Sequence, residues 1–218
     1  MKILALPLMA LGAAAATAAD LQVSVTTASG RPAPDVVVMV VPAGAVPPAA
    51  PSTVEIVQKD NRFDPFVTVV TAGSTVRFVN RDPYDHHVRS LGGGPLGAVP
   101  PAKSFELRLG PPGKAGAKSA DAVVFDSPGT VTLGCHIHGS MRGHLFIATT
   151  PHVAVTDEFG RAMLHGLPDG PAELRLWHPG QITGQAPQAL NLSGQATASA
   201  ALSFNPPRRP MPRRNEYD

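Results

Sequence analysis

The sequence predicts an all-β protein, and three observations carry that expectation. Its 24 prolines and 21 glycines in 218 residues interrupt any long helical run. Between them lie short segments rich in Val and Thr, residue types that suit a pleated, half-buried surface. Several of these segments alternate apolar and polar residues, the period a strand with one buried face requires. The length suits one large or two small domains and is ample for a hydrophobic core.

Taken in order, residues 1–19 read as a secretory signal: Lys2 gives a positive start, Ile3 to Leu11 an apolar stretch, and Ala16-Thr17-Ala18-Ala19 a small-residue cleavage region. Asp20 is expected to open the mature chain. The apolar stretch is too short for a comfortable bilayer span, and no membrane span is expected after signal removal. Leu21, Val23 and Val25 then alternate as a strand, Ser29-Gly30-Arg31-Pro32 makes a turn, and Val36 to Val41 forms a second apolar strand. Pro42 to Ser52, rich in Pro and Ala, reads as a connector.

Strand-like runs recur at Val54 to Val57, Phe66 to Val70, Thr75 to Val79, Ser104 to Leu109, Ala122 to Phe125, Thr130 to Leu133 and His144 to Ala148. That density of short strands is the signature of a β-sandwich. Gly110 to Ser119 reads as a surface loop. Beyond residue 150 the pattern restarts with His152 to Thr156, turns at Asp157 to Gly160 and Gly166 to Gly170, a strand over Ala172 to Trp177, and an alternating run from Ala196 to Phe204. The Pro/Arg-rich stretch 205–218 has nothing to pack and is expected to be a disordered basic tail. Four arginines fall in the last eleven residues, and the net charge is only +2, so a nucleic-acid role gains no support.

Chemistry concentrates in one heptapeptide, Cys135-His136-Ile137-His138-Gly139-Ser140-Met141, bracketed by two expected strands. An exported compartment is oxidising, yet the chain has a single cysteine and cannot close an intramolecular disulfide. Thiolate, imidazole and thioether within seven residues are soft and borderline ligands that suit copper, and Cys plus two His with a weak axial Met is the blue-copper arrangement. A tight loop cannot surround a metal alone. The second imidazole is expected from Asp82-Pro83-Tyr84-Asp85-His86-His87, where the residues leave His86 and His87 as alternatives.

Cys135-x-x-His138-x-x-Met141, followed by Gly143 and an apolar strand, resembles the C-terminal ligand loop of the cupredoxins, with the short spacing of the amicyanin type. Val76-Arg77-Phe78-Val79-Asn80 leading to His86 resembles the strand that delivers the first histidine there. In that pattern the ligand His is followed by Asn and an apolar residue. The resemblance therefore assigns the metal to His86, Cys135, His138 and Met141, with His87 in the Asn place and Val88 after it. It covers roughly residues 53–149 and implies a cupredoxin Greek-key β-sandwich holding one copper ion, Cu(I)/Cu(II).

More narrowly, Asn80-Arg81-Asp82-Pro83, His86-His87-Val88, Phe125-Asp126-x-Pro128-Gly129, Leu133 to His138 and Trp177-His178 resemble bacterial periplasmic proteins often labelled methylamine-utilisation proteins. In these a cupredoxin domain accompanies a transthyretin-like, carboxypeptidase-regulatory-like β-sandwich. The resemblance implies that 20–45 and 151–204 form such an accessory unit, discontinuous around an inserted cupredoxin domain. Nothing in the residues identifies methylamine or its dehydrogenase.

The expected function is single-electron transfer in the periplasm with a redox protein as partner. The alternative is copper delivery, buffering or sensing with a copper-handling partner, which the extra His87, His136 and His144 favour. No paired acid/base carboxylates, no nucleophile with an orienting base and no second copper cluster point to an enzyme. His136, adjacent to Cys135 in extended backbone, is expected on the opposite, solvent side. His144 is expected to begin the next strand. Asn80 and Asp82 read as ordinary turn residues ahead of Pro83, and Trp177 as core of the accessory sandwich.

Overall fold

The computed structural model describes residues 18–44, 49–93 and 97–207. The expected signal, apart from its last two alanines, part of the 42–52 connector and most of the expected basic tail lie outside the described residues. The described chain is all β, in sixteen strands arranged as four sheets.

The two flanks of the sequence build one sandwich. Strand β1 (Ala18–Thr26) is flanked by β13 (Arg161–Pro168), antiparallel, and β16 (Gln195–Ala201), parallel. Facing it is a sheet ordered β12 (Val153–Val155), β2 (Val37–Pro42), β14 (Gly170–Trp177) and β15 (Gln188–Leu192). Ala19, Leu21, Val23 and Val25 alternate into a common core with Val38, Val40, Leu164, Leu174 and Leu192. A fully buried Leu or Val contributes about 1.5–3 kcal/mol over an exposed one, so this alternation fixes the register of β1. β1 reaches back to Ala18 and Ala19, and the latter lies in the core.

Residues 53–148 build the second sandwich. One sheet runs β4 (Arg62–Asp64), β3 (Thr53–Lys59), β6 (Ser74–Asn80) and β9 (Ala120–Phe125). The other runs β5 (Val67–Thr71), β11 (Arg142–Ala148), β10 (Gly129–Cys135), β7 (His86–Leu91) and β8 (Glu106–Leu109). Between them pack Ile56, Phe63, Val76, Phe78, Val88, Phe125, Leu133, Leu145 and Ile147, and this core continues to Cys135 and Met141 at one end. Gly143, opposite Leu133, passes so close to Phe63 that a Cβ there would lie 2.9 Å from that residue's Cβ.

Sequence reasoning did not find β7, β4, β13 or β15. The omission of β7 matters most, because His86 opens that strand rather than sitting in the loop after β6. Trp177 is also placed differently from expectation. It is half-buried between the sandwiches, its ring 5.1 Å from Phe146 and 6.5 Å from His144 by centroids.

Candidate metal centre

Two neighbouring strand ends position the site. β7 and β10 run antiparallel with Cys135 opposite Val88, so the first residues of β7 and the last of β10 meet at one edge of the sandwich. Chain direction then turns through 136–141, closed by the Met141 N–H donating to the His138 carbonyl at 3.0 Å, and re-enters the sheet as β11. This turn swings His138 back over Cys135.

His86 Nδ1, Cys135 Sγ and His138 Nδ1 consequently form a triangle with edges of 3.2 Å (N to N), 3.5 Å and 3.7 Å (N to S). All three residues are buried. Ligand bonds of about 2.0–2.3 Å at trigonal to tetrahedral angles require ligand–ligand separations of about 3.3–4.0 Å. The triangle therefore fits a small transition ion with little adjustment, and one thiolate with two imidazoles is a donor set suited to copper. Met141, three residues after His138, is fully buried in the core that also contains Cys135.

The residues around the triangle set its protonation. Asp82, itself buried, accepts a hydrogen bond from His86 Nε2 at 2.8 Å and from the backbone N–H groups of Asp60 (2.7 Å) and Asn61 (3.3 Å). Those N–H groups converge because Asp60 and Asn61 form the β3–β4 hairpin turn with φ of 53° and 57°, a left-handed conformation that Asn and Asp tolerate. A carboxylate on Nε2 keeps the proton there and leaves the Nδ1 lone pair facing Cys135 and His138. Asn80 ties the loop together: its Oδ1 accepts from Asp82 N–H at 2.8 Å, while its Nδ2 donates to the carbonyls of Tyr84 (2.7 Å) and Gly110 (2.9 Å). Both residues thus brace the site, whereas the sequence reading favoured plain turn roles.

Burial pushes the His86 ring toward neutrality, but the hydrogen bonds to Cys135 and Asp82 outweigh it and hold the ring above the ordinary histidine value. For Cys135, burial opposes ionisation, yet the hydrogen bond with His86 and the backbone N–H groups of His87, His138 and Ile137 hold the thiol below its usual range. The shift on Cys135 runs toward the thiolate, the form of sulfur that binds metal.

The structure distinguishes the adjacent histidines. His86 turns inward, while His87 offers the site its backbone N–H, which donates to Cys135 Sγ at 3.4 Å. The His87 ring instead lies against Glu106. His136 is exposed, as expected from alternation, and His144 sits one turn of pleat beyond the strand start at Arg142. Tyr84, which sequence reasoning did not single out, packs its ring 5.5 Å from His86 and 5.3 Å from His138. The signal was present as Asp82-Pro83-Tyr84, a rigid turn just ahead of the histidines.

No protein-family model matches the chain, and no curated protein matches it. Among solved structures, an amicyanin variant with Cu(I) is similar at 24% identity, over 44% of this chain and 82% of that chain, with a TM-score of 0.32. A copper-containing nitrite reductase from Thermus scotoductus is similar at 22% identity over 49% of this chain and 24% of that chain, with a TM-score of 0.36. A purple cupredoxin from Nitrosopumilus maritimus is similar at 18% identity over 43% of this chain and 98% of that chain, with a TM-score of 0.34.

Proposed function

We propose that the protein is an exported, periplasmic copper protein that passes single electrons, with His86, Cys135 and His138 as the close ligands of one copper ion and Met141 as a weak axial one. The observation that carries this reading is the buried His86–Cys135–His138 triangle, whose edges of 3.2 to 3.7 Å match one ion and no larger group. Copper bound there supplies a Cu(I)/Cu(II) couple.

The chain's contribution is to keep the ligands still. Asp82 and Asn80 hold the first histidine from below, and the His138-to-Met141 turn holds the rest. A cage that barely moves between oxidation states keeps reorganisation small. The His87 N–H on the thiolate withdraws charge from sulfur and favours the reduced state. His138 is the least buried of the three and is followed back along the loop by exposed Ile137, so a redox partner would meet the centre there. The sandwich built from the flanking segments, transthyretin-like in this reading, serves as the module that docks such a partner.

Copper titration of the metal-free protein tests the assignment. An intense visible thiolate-to-copper band at one equivalent, lost in Cys135→Ser, is the expected result. Equal binding in Cys135→Ser, or no preference for copper over zinc, overturns it. A delivery or buffering role is the second reading. The further imidazoles of His87 and His136 at the same sheet edge favour it, and a colourless protein holding Cu(I) tightly would select it.

A further inference from the structure

Two dipeptides cross at the edge of the sandwich: His86-His87 opens β7, and Cys135 closes β10 with His136 directly after it. The His136 N–H donates to the His87 carbonyl at 2.9 Å, which locks the crossing. Successive side chains of an extended chain point to opposite faces. The inward pair, His86 and Cys135, belongs to the triangle described above. The outward pair, His87 and His136, is left on the other face with ring centroids 5.5 Å apart.

That face carries more than two histidines. Glu106 stands on β8, the neighbour of β7, and its Oε1 lies against His87 Nε2. His87 is buried, and its Nε2 has Glu106 Oε1 as its one partner. It borders a cavity of about 560 Å³ that His136 and Ile137 also line. Of the cations lining it, Lys114 faces Asp85 at 3.5 Å and Lys118 faces Asp121 at 3.7 Å, while Arg108 stands opposite His87 in the β7–β8 register.

We propose that His87, Glu106 and His136 form a second metal site, for a divalent transition ion such as Zn(II) or Cu(II), back to back with the first. Two imidazoles and a carboxylate form a borderline donor set suited to these ions and poorly suited to Cu(I). His87 and Glu106 already meet, and exposed His136, its ring centroid 5.5 Å from that of His87, completes the set by turning its ring toward them. His87 and His136 line the cavity, which leaves room for water at the remaining positions of a bound ion. The site does not depend on what the first one binds, because it shares no side chain with it.

The test is Zn(II) titration of the double variant Cys135→Ser/His138→Ala, followed by calorimetry and by NMR of the imidazole resonances. One equivalent is expected to bind and to shift His87 and His136 but not His86. Adding His87→Asn, Glu106→Gln or His136→Ala should each weaken binding about tenfold or more; His87→Asn leaves the backbone N–H to Cys135 Sγ in place. A second measurement avoids any dependence on the double variant's folding. In wild-type protein holding one equivalent of Cu(II), a further equivalent of Zn(II) should bind by calorimetry and leave the visible band unchanged. Binding that survives His87→Asn or Glu106→Gln, shifts confined to other histidines, or no second equivalent in the copper-loaded protein overturns the proposal. A missing visible band in the first titration speaks only against the copper reading.

Discussion

Replacing Asp82 by Asn tests how the site is built. The buried carboxylate satisfies three donors, the N–H groups of Asp60 and Asn61 and the Nε2–H of His86. Asn keeps the shape but has one acceptor oxygen and an NH2, so a donor must face a donor, either at the hairpin turn or at His86. Leaving a buried donor unsatisfied costs about 1–3 kcal/mol, and hydrogen bonds to a charged acceptor contribute about 1.5–3 kcal/mol each. The metal-free variant should therefore lose about 2–4 kcal/mol, read as a lower urea midpoint with an unchanged slope. If the amide nitrogen faces His86, the ring is no longer held as the Nε2–H tautomer, and Cu(II) affinity should fall about 10–100-fold. Imidazole stripped of its carboxylate is the weaker donor, so Cu(II) loses more than Cu(I). The potential should rise by about 59 mV for each tenfold difference. Competition titration with a chelator and voltammetry give both numbers. A variant that binds Cu(II) within about twofold of wild type at an unchanged potential refutes the idea that Asp82 orients the ligand.

Two further outcomes follow from the packing. His144 is pushed down to about 4 by burial and by the nearby His178 and Arg142 charges. Between about pH 4 and 6.5 the unfolded chain binds a proton that the folded chain refuses, so stability is full above pH 6.5 and falls by up to about 3 kcal/mol as pH drops toward 4. Urea midpoints at pH 7.5 and 4.5 should show the loss in wild type and a smaller one in His144→Gln. Gly160 has φ of +73°, and a Cβ there would sit 2.3 Å from the Val25 carbonyl oxygen and 2.9 Å from the Ala33 nitrogen. Backbone cannot give way as a side chain can, so Gly160→Ala should cost about 2–6 kcal/mol; a midpoint shift worth under about 0.5 kcal/mol would contradict this packing.

Much of the site was legible because its signal is local. Cys135, His138 and Met141 share one turn, and their spacing survives any detail of the surrounding fold. β1 was equally legible, since Leu21, Val23 and Val25 alternate against water on one face only. β7 was not: His86, His87 and Val88 are buried in succession, so the strand that carries a ligand has no period of two to reveal it. The work of Asp82 was hidden for a different reason. Its partners, Asp60 and Asn61, lie some twenty residues upstream in a hairpin turn, and only the parallel pairing of β3 with β6 brings that turn beside it. Turn propensity ahead of Pro83 was a true local property, but tertiary contacts gave the same residue a second role. β13 escaped notice because Gly166 and Pro168 read as turn residues, although the strand runs through them to pair with β1.

Strand β11 joins the site to the rest of the molecule. It starts directly after Met141, and Arg142 donates from its side chain to the Met141 carbonyl at 2.9 Å. Leu145 and Ile147 point into the core beneath the metal centre, while His144 and Phe146 point the other way, toward Trp177 of the flanking sandwich. Phe66 closes on the other side of His144, ring to ring at 5.1 Å. Because side chains alternate, a single strand braces the ligand loop with one face and seats the second sandwich with the other. Trp177 is thereby linked to Met141 through a hydrogen-bonded strand rather than through a flexible linker.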